Sequence, residues 1–447
     1  MKPVATDSQN MRVADIKIEL AAGEAGREMH QLIAELYPIC RSITGDGLRD
    51  TLRRIGQQIP LKVYEVASGT PVFDWTVPQE WNIRDAYIKD ASGKRVVDFK
   101  RSNLHVVNYS VPVQRTMSLE ELKPHLFTLP DHPDWIPYRT SYYKESWGFC
   151  LSQRQLAELA AGEYEVFIDS SLQDGHLTYG ECYLPGETSD EVLFSSHVCH
   201  PSLCNDNLSG VSLAVFLAKY LQSRPHRYSY RFLFAPATIG AITWLAKNER
   251  QTARIKHGLI LTCVGDAGRM TYKKSRRGSA EVDRAVAHVL KHGGDHEILE
   301  FSPWGYDERQ FCSPGFNLPV GCLMRTPNGR FPEYHTSADN LEFVRPEHLE
   351  DSYRKCLGVV DILENNRVYL NQNPKCEPRL GKRGLYGGLG SKAQVERHEL
   401  ALLWVLNFSD GEHDLLEIAE KSGLEFSTIR QAADALCQHQ LLELRSN

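Results

Sequence analysis

The sequence predicts an α/β protein with a β-rich insertion and a small helical domain at its C-terminal end. Three observations predict this. Across residues 150–370, apolar strand runs (YEVFIDS, EVLFSSHV, YRFLFAPA, HGLILTCV, LPVGCLM) alternate with helical stretches near 208–222, 240–251, 280–292 and 346–366. That is the pattern of a largely parallel sheet covered on both faces. Residues 59–149 instead carry short alternating runs (LKVYEV, DAYIKD, RVVDF, HVVNYS) between Gly, Pro, Asp and Asn, with Trp75, Trp81, Trp135 and Trp147 among them. They read as a mostly β module inserted into the α/β domain, placed to wall a pocket. Beyond a Gly/Pro/Lys/Arg-rich linker, residues 371–394, three helical patterns fill residues 395–447.

Taken in order, residues 1–25 read as a poorly ordered start. Residues 27–58 place Met29, Leu32, Ile33 and Leu36, then Leu48, Leu52 and Ile55, at helical spacing on either side of Gly45-Asp46-Gly47. This predicts two helices separated by a turn, so the α/β domain comprises 25–58 and 150–370. In the C-terminal segment, DLLEIAEKSG and STIRQAADALCQ joined by a Gly-containing turn resemble a winged helix-turn-helix.

Composition narrows the function. The chain has 447 residues, 42% hydrophobic and 24% charged, with a net charge of −6. This is a globular composition rather than a disordered one, and its acidic balance argues against a nucleic-acid partner. The winged-helix-like segment points the same way, with four basic residues against ten acidic ones in 395–447. It reads as a packing or oligomerisation module, so a homo-oligomer is expected. No apolar run reaches 18 residues and the N-terminus lacks a signal-peptide core, so neither a membrane nor export is expected. Eleven cysteines without a repeating spacing read as reduced thiols, which points to the cytoplasm.

Four segments carry candidate chemistry. In SSHVCHPSLCNDNLSG, residues 195–210, His197 ends a strand and Asp206 opens a helix, with Cys199, His200 and Cys204 in the loop between. A strand-end His and a helix-start Asp can converge on one metal ion, and imidazole with carboxylate suits zinc; the plain alternative is an N-capped polar loop. In RFPEYHTSADN, His335 follows a strand, and Asp339 is placed to accept from a ring N–H or to cap the next turn. In LTCVGD, Asp266 stands at the carboxyl end of a strand, where ligands bind in parallel sheets and where a turn Asp is equally at home. In YDERQF, Asp307 and Glu308 are adjacent carboxylates suited to a substrate ammonium group, unless Arg309 pairs with them. The basic run Lys273–Arg277 reads as a solvated turn, and the remaining histidines lack partner spacing.

The order of His197, Asp206-Asn207-x-Ser-Gly, Gly265-Asp266, Asp307 and His335 resembles the zinc aminopeptidase fold shared by di-zinc aminopeptidases and glutaminyl cyclases. More closely, CRSITGDG, CHPSLCNDNLSG, YKKSRRG, CSPGFNLPVG and EYHTSADN resemble a bacterial aminopeptidase-like family with an inserted β domain and a C-terminal winged helix. The similarity covers about residues 27–447. It implies a mixed sheet flanked by helices, with His197, Asp206, Asp266 and His335 as metal ligands. It implies metal-activated water attacking an amide carbonyl next to a free amino group, in a small peptide or aminoacyl-amide substrate. Asp307 and Glu308 would grip the ammonium group, and Tyr306 or Tyr334 would face the oxyanion.

The sequence departs from that family at Ala-Pro-Ala-Thr-Ile-Gly, residues 235–240. The di-zinc enzymes carry Glu-Glu here, a general base and a metal ligand, and the closer family keeps the first. Ala237 and Thr238 provide neither. One zinc ion rather than two is therefore expected; Ala237 reads either as an engineered substitution or as a natural residue with Glu308 or Glu333 taking over the proton transfer. Two other readings stay open: a metal-dependent amidase or acyl transferase on a biosynthetic intermediate, and a catalytically silent metal-binding protein.

Overall fold

The computed structural model describes residues 23–386 and 392–445; most of the expected disordered start lies outside them. Helices α1 (Glu24–Leu36) and α2 (Asp46–Gly56) form where the apolar spacing placed them, burying Met29, Leu32, Ile33 and Leu36, then Leu48, Leu52 and Ile55. Gly45 between them has φ +91°, and a Cβ there would stand 2.1 Å from the Trp81 carbonyl oxygen. Only glycine allows that approach.

The chain then builds an eight-stranded mixed sheet from β1 (Lys62–Ala67), β2 (His176–Leu184), β3 (Glu191–His197), β4 (Ser229–Ala235), β5 (Ile255–Leu261), β6 (Met270–Lys273), β7 (His296–Leu299) and β8 (Val320–Met324). Their spatial order is β1-β2-β4-β3-β5-β8-β6-β7. The central four, β4, β3, β5 and β8, are parallel, and antiparallel pairings bring in β2 and β6. Every residue of β3 and β4 is buried, which is why these strands read as unbroken apolar runs. Their side chains alternate between two apolar layers. Phe194, Phe232, Phe234 and Leu259 pack with α1 and α2 on one face; Leu193, Leu233 and Ile260 pack with Trp244 and Ile239 on the other. Helices α3 (Gly210–Gln222), α4 (Ile239–Asn248), α5 (Glu281–His292) and α6 (Pro346–Asn365) supply the rest of the cover. Because β4 lies on one side of β3 and β5 on the other, the strand order reverses at β3. The crevice beyond the carboxyl end of that strand is the position where open α/β sheets bind ligands.

The β-rich insertion forms its own antiparallel sheet, in the order Arg95–Asp98, Glu80–Lys89, Glu163–Gln173, Val113–Ser118. Its limits differ from the expected 59–149. Residues 62–67 leave the insertion and pair with β2 at the edge of the main sheet, while Glu163–Gln173, expected in the α/β domain, is a central strand of the insertion. Alternating apolar residues suit either sheet, and the partner that decides between them lies up to about 120 residues away in sequence.

The C-terminal domain also starts earlier than residue 395. Val368–Asn371 is the middle strand of a three-stranded antiparallel sheet with Asp410–Asp414 and Leu442–Leu444, and helices Lys392–Phe408, Leu415–Ser422 and Phe426–Gln438 pack beside it. The domain is fastened to the core. Arg284 of α5 pairs with Asp414 and Glu420, His288 Nε2 accepts from the Phe426 amide at 3.0 Å, and Arg430 pairs with Asp361 of α6. One apolar cluster runs from α1 through α6 to Leu402, Ile418 and Ile429. Ending the chain at residue 366 would expose that face. The truncated protein is expected to unfold at least several degrees earlier in a thermal melt and to aggregate; an unchanged melting temperature would show that the domain is an independent appendage.

Candidate metal centre

Three segments meet at the carboxyl end of β3. His197 is the last residue of that strand and lies opposite Ala235 of β4. Asp206 follows in an irregular turn, Cys204–Ser209, with φ −110° and ψ 81°. His335 comes from the loop after β8, in a left-handed conformation with φ 57°. The two oxygens of Asp206 divide between the histidines: His197 Nε2 lies 2.8 Å from Oδ1 and His335 Nε2 lies 3.0 Å from Oδ2. His200, which the sequence left without a role, joins His197 and Asp206, while His335 reaches the group through Asp206. Ligand atoms of His197, His200 and Asp206 all lie within 4.8 Å of one another.

The loop is held from behind. Asp339 neither accepts from a ring N–H nor caps its own turn. Its Oδ1 accepts from the Cys204 and Asn205 amides at 3.1 and 2.5 Å, and its Oδ2 from the Asp206 amide at 2.9 Å. Asn207 Oδ1 accepts from the amides of Gly210 and Cys263, while its Nδ2 lies 2.9 Å from Ser196 Oγ and 3.1 Å from the Leu261 carbonyl. The side chain thus ties β3, β5 and the start of α3 together.

Electrostatics follow from this packing. Burial alone would raise the Asp206 carboxyl, but His200, His197 and His335 outweigh it and hold the group well below the usual carboxylate range, ionised. Burial lowers His200 to about 3 and so keeps its imidazole neutral. An ionised carboxylate beside imidazole nitrogens is the donor set that binds a divalent ion.

Tyrosines wall the site. Tyr138, from the insertion, meets the rings of His200 and His335 edge-on, each at 5.2 Å. Its amide donates to the His335 carbonyl at 2.8 Å, so the insertion is pinned to the site. Tyr306 stacks on His197 at 5.5 Å and its hydroxyl lies 3.0 Å from Cys263 Sγ. Tyr334 stacks on His335 at 4.0 Å.

Other expected residues stand elsewhere. Asp266 is outside the cluster: its oxygens accept from Asn205 Nδ2 at 2.9 Å, Thr326 Oγ1 at 2.6 Å and the Gly268 amide at 2.7 Å. A carboxylate filled in this way supports the Asp206 turn through Asn205. Glu308 is completely buried and pairs with Lys273 Nζ at 2.6 Å, which corrects two expectations. Glu308 is not open to a substrate ammonium group, and Lys273 is a buried strand residue rather than part of a solvated turn. Arg309 does not take that pairing. Removing one member of a buried pair costs about 3–5 kcal/mol. Glu308→Ala is therefore expected to lose that much in denaturant unfolding, with much of it recovered in the Lys273→Met, Glu308→Leu double variant. Asp307 is buried with Oδ1 lacking a hydrogen-bond partner among the described residues, and burial pushes its carboxyl up to about 7. Ala237 lies two residues past the end of β4, its amide 3.4 Å from Cys199 Sγ.

Comparisons with known proteins agree with this architecture. A family model described as "Domain of unknown function (DUF4910)" matches residues 30–366, and one described as "winged helix-turn-helix" matches 367–444. A "putative polysaccharide biosynthesis protein with aminopeptidase-like domain" from Clostridium acetobutylicum is 57% identical over 424 residues, covering 95% of this chain and 98% of the relative. The crystal structure of a putative peptidase from the same organism superposes with a TM-score of 0.91 at 56% identity, over 95% of this chain and 97% of that one. A zinc aminopeptidase from Bacillus subtilis superposes with a TM-score of 0.55 at 14% identity, over 76% of this chain and 94% of that one. The last likeness shows a shared fold. Among the described residues no helix is long and apolar enough to cross a membrane.

Proposed function

The chain belongs to the DUF4910 family, and from that premise we propose that it is a metal-dependent hydrolase cleaving an amide bond next to a free amino group. The observation that carries this reading is the division of Asp206 between two imidazoles, 2.8 Å from His197 and 3.0 Å from His335, at the point where the strand order reverses. Those three residues would hold one zinc ion, the donors being imidazole and carboxylate. The chemistry supplied by such an ion is polarisation of a carbonyl and a lowered pKa for water.

The rest falls to the chain's own groups. The buried Asp307, with an oxygen unpaired among the described residues, is an acid able to hold and release a proton near neutral pH, or to meet an ammonium group. Glu308 is committed to Lys273. Tyr306 and Tyr334 stack on the imidazole faces of His197 and His335. The name of the Clostridium acetobutylicum relative favours, as the second reading, an amide carried on an intermediate of polysaccharide assembly over a peptide. A panel of aminoacyl anilides and non-amino amides, with zinc supplied, separates the two. Turnover confined to substrates with a free amino group supports the first reading, and turnover of non-amino amides the second.

We read the winged helix as a packing module of a cytoplasmic homo-oligomer. Its helix Phe426–Gln438, which in a DNA-binding domain would enter the groove, is fastened to α5 and α6 by His288 and Asp361. Light scattering of the full chain tests the assembly, and a gel shift with random duplex tests the absence of DNA binding.

A further inference from the structure

We infer that His200 is a metal ligand, binding through Nδ1, and that the centre takes one borderline divalent ion, Zn2+ or Co2+, in a set that includes the imidazoles of His197 and His200 and the Asp206 carboxylate. This rests on the reading that His197, Asp206 and His335 hold a metal. His200 Nδ1 is buried and has no hydrogen-bond partner among the described residues, yet it lies 3.9 Å from Asp206 Oδ2. That separation is too long for a hydrogen bond and suits two donors sharing an ion about 2 Å from each. An imidazole nitrogen left bare in an interior site is costly unless something binds it.

The ring is also aimed. It stands 4.9 Å from the His197 ring and 5.1 Å from the His335 ring, with Tyr138 fixing its edge. Its backbone is anchored by the buried Arg41, whose Nε donates to the His200 carbonyl at 2.9 Å and whose NH1 donates to Leu36 at 2.6 Å. The CRSITGDG segment thereby gains a role, since it carries the arginine that sets the His200 loop. The assignment also accounts for Thr238. Where the resemblance places a metal-binding carboxylate at that position, this chain has a hydroxyl and presents the His200 imidazole from the loop packed against Ala237 instead.

The test is cobalt binding by the metal-depleted full-length protein, read by the visible absorption of Co2+, by equilibrium dialysis and by the shift in melting temperature on loading. The wild type is expected to bind one Co2+ per chain. His200→Ala and His200→Gln are expected to bind at least about 100-fold more weakly, with an altered cobalt spectrum and a smaller melting shift, while melting like the wild type when metal-free. Wild-type affinity and spectrum in either folded variant would overturn the role of His200 and leave the metal reading standing. Absence of cobalt binding by the wild type would overturn both.

Discussion

Replacing Ala237 by glutamate is expected to raise the rate of aminoacyl-amide hydrolysis by about 10²–10⁴-fold with zinc supplied, the contribution of a positioned general base. The argument is one of place. Ala235 lies opposite His197 in the β3–β4 pairing, and Ala237 follows two residues later at the mouth of the same crevice. A carboxylate there would lie beside the reacting water. Without it, the proton carrier we assign is Asp307, whose burial raises it to about 7. Its carboxylate form therefore appears as pH rises through about 7, and the wild-type rate is expected to climb over that interval and to disappear in Asp307→Asn. The Ala237→Glu rate should already be high at pH 6, because an ordinary glutamate is ionised there. No hydrolysis of any amide by the Ala237→Glu protein, with metal bound, would leave the silent metal-binding reading in possession.

Asp339→Ala is expected to cost at least about 2 kcal/mol, since the Cys204 amide keeps the Asp339 carbonyl at 3.0 Å while those of Asn205 and Asp206 lose their acceptor, and to abolish metal binding together with stability of the loop. The carboxylate receives the amides of three consecutive residues, Cys204 to Asp206, and each buried donor left unsatisfied costs about 1–3 kcal/mol. Asp339 thus links two sequence motifs more than 130 residues apart and fixes the backbone from which Asp206 projects. Asp339→Asn keeps one acceptor and should fall between the two. Denaturant unfolding with zinc analysis of the folded fraction checks this, and an Asp339→Ala protein of native stability with a full complement of metal would contradict it.

Local signals made much of this legible. The two N-terminal helices follow from apolar spacing, the buried strands from unbroken apolar runs, and His197, Asp206 and His335 from their positions at strand and helix ends. What escaped the sequence depends on partners. Asp266 looked like a ligand because it ends a strand, but Thr326 and Asn205 occupy its oxygens, and neither is near it in sequence. Glu308 looked exposed beside Arg309 until Lys273, at the end of the strand Met270–Lys273, claimed it. His200 carried no signal beyond sharing a loop with Cys199 and Cys204; only the fold shows its Nδ1 bare beside Asp206. The strand Glu163–Gln173 had the right pattern and the wrong address, since period-two alternation does not say which sheet a strand will join.

The central claim, that distant residues converge on a single cation, is tested most directly by anomalous diffraction at the zinc edge from crystals grown with zinc. The account predicts one strong peak per chain, about 2.0–2.2 Å from the Nε2 atoms of His197 and His335 and from an Asp206 oxygen. A map with no peak there, and with both imidazoles still bonded directly to Asp206, would contradict it.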